Sequence, residues 1–208
     1  MKKAIIFGDS YSTFDGYIPE GYDVYYSAVP RVEGIDVTDV SQCWWHLLAS
    51  DLSLDIVTND SWSGSTICYT GYAGDCRHSS FVTRLEKYIS DGYFEKNEID
   101  TVFVFGGTND SWADAPLGKF DDAGEDALYS VLPAIRCFLR RLRDTIPDGR
   151  IIVILNTEIK VEITDALKSE GEAVGATVVR LSNISKVSGH PESVGMKQIY
   201  EQVRAAII

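Results

Sequence analysis

Cysteine, histidine and positive charge are all scarce in this chain. Its 208 residues hold 4 cysteines, Cys43, Cys68, Cys76 and Cys137, and no two stand at CxxC spacing. Zinc sites usually show paired spacings, and Cys76-Arg77-His78 has no second pair, so no metal is expected. In a reducing compartment the cysteines read as free thiols; Cys68 and Cys76 would pair only in an exported protein. Lysine and arginine number 19 against 31 acidic residues, a net charge of −12. Such a field repels nucleic-acid phosphates and anionic membrane surfaces, so neither is an expected partner. No apolar run nears the roughly 20 residues of a membrane span. The run after Lys2-Lys3 is only Ala4 to Phe7, short of the roughly 7–15 residues of a signal-peptide core. The expectation is a mature strand and a cytoplasmic protein. Internal repeats, low-complexity segments and linkers are also lacking.

What is present is an ordinary globular balance, 45% hydrophobic and 24% charged. That is enough for a sizeable core and for one domain over residues 1–208. Short apolar runs at Lys3–Phe7, Leu54–Thr58, Asp100–Phe105, Ile151–Leu155 and Ala176–Leu181 predict five strands. Helical spacing predicts helices over Ser41–Ser50 (with Ser41 as N-cap), Ser79–Ser90, a stretch within Gly124–Ile146, Glu162–Ala173 and Glu192–Ile207. Pro133 is expected to kink or divide the third. Strands alternating with helices predict an α/β fold, a parallel sheet covered on both faces. Two irregular stretches, Tyr11–Val40 and Ser61–Ser80, are long enough to suggest function.

Ligands of such sheets bind beyond the carboxyl ends of the strands. The segments found there are Gly8-Asp9-Ser10, Asn59 to Thr66, Gly106 to Asp110, and Ser188-Gly189-His190-Pro191. Ser10 is the candidate nucleophile, and a serine hydroxyl needs a base. Of the three histidines, His46 lies in an apolar helical segment and His78 in a polar loop. His190 sits in a Gly-His-Pro turn that a fold can aim at Ser10. The Ser10 N–H, the Gly64 N–H and the Asn109 amide are candidate donors to an oxyanion. Asp9 and Asp110 read as structural, accepting backbone N–H bonds or capping a helix.

In this order the four segments resemble the SGNH/GDSL hydrolases. The resemblance spans residue 3 to about residue 200 and rests on Gly8-Asp9-Ser10, Gly64, Gly107-Thr108-Asn109-Asp110 and His190-Pro191. It implies a three-layer α/β/α, flavodoxin-like fold with no cofactor. It also implies Ser10 as nucleophile, His190 as base, and Ser10, Gly64 and Asn109 as the oxyanion hole. The implied substrate is a small-molecule ester, such as an O-acetylated carbohydrate.

One position departs from the family. The aspartate usually found three residues before the histidine is Val187 here, which cannot accept a hydrogen bond. A carbonyl within Ser185–Gly189, a carboxylate such as Glu158 or Glu192, or a serine hydroxyl would have to stand in. The expectation is a Ser–His dyad assisted by a carbonyl, which fixes the tautomer but stabilises imidazolium less than a carboxylate does. The same valine motivates the alternative of a non-catalytic sugar- or acyl-binding module. Tyr17, Tyr22, Tyr25, Tyr26, Trp62, Tyr69, Tyr72 and Trp112 either line a pocket or pack the long loops on the core.

Overall fold

The computed structural model describes residues 2–208. The chain opens with strand β1 (Lys2–Gly8), then helix α1 (Trp44–Leu52), strand β2 (Leu54–Ser61) and a small hairpin, β3 (Thr70–Gly71) with β4 (Gly74–Asp75). Helices α2 (Phe81–Ser90) and α3 (Tyr93–Asn97), strand β5 (Thr101–Phe105), and helices α4 (Thr108–Trp112) and α5 (Val131–Thr145) follow. Strand β6 (Arg150–Leu155), helix α6 (Val161–Ala173), strand β7 (Thr177–Arg180), a second hairpin of β8 (Lys186–Val187) with β9 (His190–Pro191), and helix α7 (Ser193–Ile207) complete it.

The five long strands form one parallel sheet in the order β2-β1-β5-β6-β7. Side chains along a strand alternate between faces, and both faces are apolar here. Ile5, Phe7, Val102, Val104, Ile151 and Val153 join one core with α2, α5 and α6. Ala4, Ile6, Phe103, Phe105, Ile152 and Ile154 join the other with Trp44, Trp45 and Leu48 of α1 and Met196, Ile199 and Val203 of α7. Two helical layers thus enclose the sheet, as expected. Each fully buried aliphatic or aromatic side chain contributes roughly 1.5–3 kcal/mol, which explains why five consecutive buried residues, Ile151–Leu155, anchor β6.

Several local expectations need correction. Ser41 is not a helix cap. It lies in a 3-10 turn, Val40–Gln42, capped by Asp39, and α1 starts after Cys43. The stretch Gly124–Ile146 holds two elements, a 3-10 turn (Glu125–Tyr129) and α5. Pro133 falls in the first turn of α5, where its missing N–H had no intrahelical acceptor, so it neither kinks nor divides the helix. His190 lies in a strand of a hairpin rather than in a turn. All four cysteines are free thiols. No helix among the described residues is long and apolar enough to cross a membrane.

Candidate active site

Where β1 ends, Asp9 turns the chain. Its carboxylate accepts the Tyr11 N–H at 3.0 Å and caps a 3-10 turn, Ser10–Ser12. Asp9 is fully buried and its second oxygen has no partner. Burial therefore pushes its carboxyl up to about 7, against the pull of the Tyr11 N–H. This is the shaping role expected of Asp9. Ser10 opens the turn, so its own N–H has no acceptor within it.

The Ser10 Oγ lies 2.9 Å from His190 Nε2, across 180 positions of sequence. The β8–β9 hairpin makes this possible. Val187 pairs with His190, and the two residues between them both have positive φ, Ser188 at 50° and Gly189 at 81°. That is the backbone of a two-residue type I′ hairpin turn. Gly189 is required twice over, because an added Cβ would also lie 2.9 Å from the Trp112 ring. The turn folds the Ser188 carbonyl back to 3.3 Å from His190 Nδ1. A proton on Nδ1 directed at that carbonyl leaves the Nε2 lone pair facing Ser10. Among the described residues the group facing Nδ1 is thus this carbonyl. Val187 instead packs beside Gly34, Glu158 pairs with Lys186 at 3.3 Å, and Glu192 is the N-cap residue of α7.

Aromatic rings frame the imidazole. Tyr25 stacks on its face, with centroids 3.7 Å apart and planes 9° from parallel. Trp112 meets it edge-on at 5.7 Å, and Tyr11 lies 5.4 Å away. The Tyr11 hydroxyl donates to the Gly189 carbonyl and the Tyr26 hydroxyl to the Pro191 carbonyl, which pins the hairpin. Burial holds the His190 pKa below its usual value; the Ser188 carbonyl opposes this and the nearby Lys186 reinforces it. Neutral imidazole, the form that accepts a proton, is therefore favoured.

Asn109 is 3% exposed on α4. Its Nδ2 donates to the Ser65 carbonyl at 2.9 Å and its Oδ1 accepts the Tyr72 hydroxyl at 3.0 Å. The Ser65 bond ties α4 to the loop after β2. In that loop Gly64 is exposed with φ 82°, a conformation natural to glycine, and a Cβ there would meet nothing within 4 Å. Asp110 accepts from the Ile67 and Cys68 N–H groups, fastening the same loop.

Beneath these loops lies Arg84, 2% exposed. It pairs with the buried Asp60 and donates to the Gly8 carbonyl and to Ser65 Oγ, each at 3.2 Å. One guanidinium thereby joins the end of β1 to the loop of Gly64. Lys186 does similar work on the other side. Its Nζ bonds Thr157 Oγ1 at 2.6 Å and reaches Asn156 Oδ1 and the Thr157 carbonyl at 3.4 Å.

Of the residues singled out in the sequence, Ser10 and His190 meet directly, and Asn109 and Gly64 are brought together through Ser65. His46 lies against Trp45 on α1, and His78 is exposed against Trp62. The sequence reading missed Arg84 and Lys186, whose spacing carries no signal. It also missed the hairpin, which the Ser188-Gly189 dipeptide signals.

Comparison with known proteins agrees with this architecture. The sequence model of the GDSL-like lipase/acylhydrolase family matches residues 2–207. The chain belongs to that family. It is a carboxylic ester hydrolase with the serine-esterase fold of the group. A protein of Bacteroides ovatus assigned as a GDSL-like lipase is 37% identical, with a TM-score of 0.90, over 99% of this chain and 97% of the other. One from Bacteroides uniformis, similarly assigned, is 38% identical, with a TM-score of 0.89, over 100% and 95%. An acetyl xylan esterase from Butyrivibrio proteoclasticus shares the fold at 20% identity and a TM-score of 0.64, over 98% of this chain and 62% of the other. No curated protein matches the chain.

Proposed function

We propose that this esterase works through an acyl-enzyme on Ser10, with His190 as general base and the Ser10 N–H, the Gly64 N–H and the Asn109 amide as the oxyanion hole. The observation that carries the reading is the 2.9 Å contact between Ser10 Oγ and His190 Nε2, made while the Ser188 carbonyl accepts from Nδ1. His190 takes the serine proton as Oγ attacks the ester carbonyl. The three donors hold the oxygen on which charge develops. His190 then protonates the leaving alcohol and activates water for deacylation.

The proposed substrate is a small acyl ester such as an O-acetylated carbohydrate. Support comes from the rim, where Tyr72 is 59% and Trp112 40% exposed. Exposed rings beside a reacting centre suit the apolar faces of a sugar.

Intact-mass spectrometry after fluorophosphonate treatment tests the chemistry. The expected result is one adduct on the wild type, none on Ser10→Ala and strongly slowed labelling of His190→Ala. A folded wild type that takes up no adduct would favour the binding-module reading, since binding alone needs no activated serine.

A further inference from the structure

Tyr72 sits at the tip of the β3–β4 hairpin, between Gly71 and Ala73. Strand pairing of Thr70 with Asp75 and Gly71 with Gly74 shapes that tip. The hairpin is fastened at its base. The Tyr69 N–H donates to the Leu128 carbonyl at 2.8 Å, and Thr70 Oγ1 donates to the Tyr129 carbonyl at 2.7 Å. A tyrosine this exposed ordinarily turns its hydroxyl to water. Here the hydroxyl turns inward and donates to Oδ1 of the buried Asn109 at 3.0 Å.

We propose that Tyr72 is a positioning residue for ester hydrolysis, acting on the oxyanion through Asn109. This inference rests on the assignment of Asn109 to the oxyanion hole. Two anchors hold the amide: Tyr72 on its oxygen and the Ser65 carbonyl on one N–H. The Ser65 carbonyl, which can only accept, fixes which end of the amide is nitrogen; Tyr72 then holds the oxygen, and the second N–H is left for the substrate oxygen. A donor on the amide oxygen also polarises the amide, so its N–H groups become stronger donors. The benefit grows as negative charge develops on the substrate, so it falls on kcat rather than on KM.

The test is a double-mutant cycle of Tyr72→Phe and Asn109→Ala, read by steady-state kinetics with p-nitrophenyl acetate. Phenylalanine keeps the ring at the rim and removes only the hydroxyl. Tyr72→Phe is expected to lower kcat roughly 3–10-fold, the scale of one hydrogen bond, with KM unchanged. Asn109→Ala is expected to lower kcat roughly 10²–10³-fold. In the Asn109→Ala background Tyr72→Phe should cost nothing more, because the group it acts through is gone. Fluorophosphonate labelling rates should follow the same pattern. An unchanged kcat for Tyr72→Phe, a change in KM alone, or a full additive loss in the double mutant would overturn the inference while leaving Asn109 in place. An unchanged Asn109→Ala enzyme would overturn the oxyanion assignment and the role of Tyr72 with it.

Discussion

Replacing Lys186 with methionine should move the acid limb of the pH–rate profile upward. With His190 as the proposed general base, the free enzyme works with neutral imidazole, so activity should be lost as pH falls through the imidazole pKa. In the wild type that midpoint is expected below 6.5, because burial disfavours the imidazolium and Lys186 adds a like charge. Lys186 Nζ lies 5.6 Å from the centre of the Tyr11 ring, which is itself 5.4 Å from the imidazole centre. The two cationic groups are therefore within about 11 Å, and at an effective dielectric of roughly 20–40 their repulsion is at least about 0.7–1.5 kcal/mol. Removing it makes proton uptake easier by about 0.5–1 pH unit. Tyr11 and Tyr25 stay neutral across this range. Asp9, its carboxyl pushed up to about 7 by burial, titrates within it in wild type and variant alike, so the quantity read is the displacement between the two profiles. Methionine fills the volume of the buried lysine stem but gives up the Nζ bonds to Thr157 and Asn156, so circular dichroism and Tm are to be matched to the wild type before the profiles are compared. The assay is kcat/KM for an acetyl ester by pH-stat between about pH 4.5 and 8. A midpoint that moves by less than about 0.2 units, or moves downward, would refute the electrostatic argument.

Two further outcomes follow from the geometry. Arg84→Met leaves Asp60 as an uncompensated buried charge, so stability should fall by about 3–5 kcal/mol and Tm by about 10 °C. Urea unfolding checks it, and a loss below about 1 kcal/mol would show that the ion pair is dispensable. Tyr25→Leu removes the ring stacked on His190 and should lower kcat roughly 3–10-fold with KM little changed, whereas Tyr25→Phe should keep most activity. Equal activity in the leucine and phenylalanine variants, measured on the same ester, would dismiss the stacking role.

The layout of the fold was legible in the sequence because its causes are local. Five apolar runs of strand length alternate with helical repeats, and burial on both sheet faces is written in Ile151–Leu155 and its counterparts. Ser10, Gly64, Asn109 and His190 were legible because each follows a strand or precedes the last helix, and a parallel sheet delivers all such positions to one edge. The sequence also displayed the gap at Val187. What fills that gap was decided only in three dimensions. A backbone carbonyl has no letter of its own, and Ser188 reaches His190 because two successive residues adopt positive φ. The same holds for Tyr25 on the imidazole, Tyr72 on Asn109, and Arg84 bridging Gly8, Asp60 and Ser65. These partners stand tens of positions or more apart in the chain. Local propensity carries no information about such contacts; closure of the sheet and docking of the long loops bring them together.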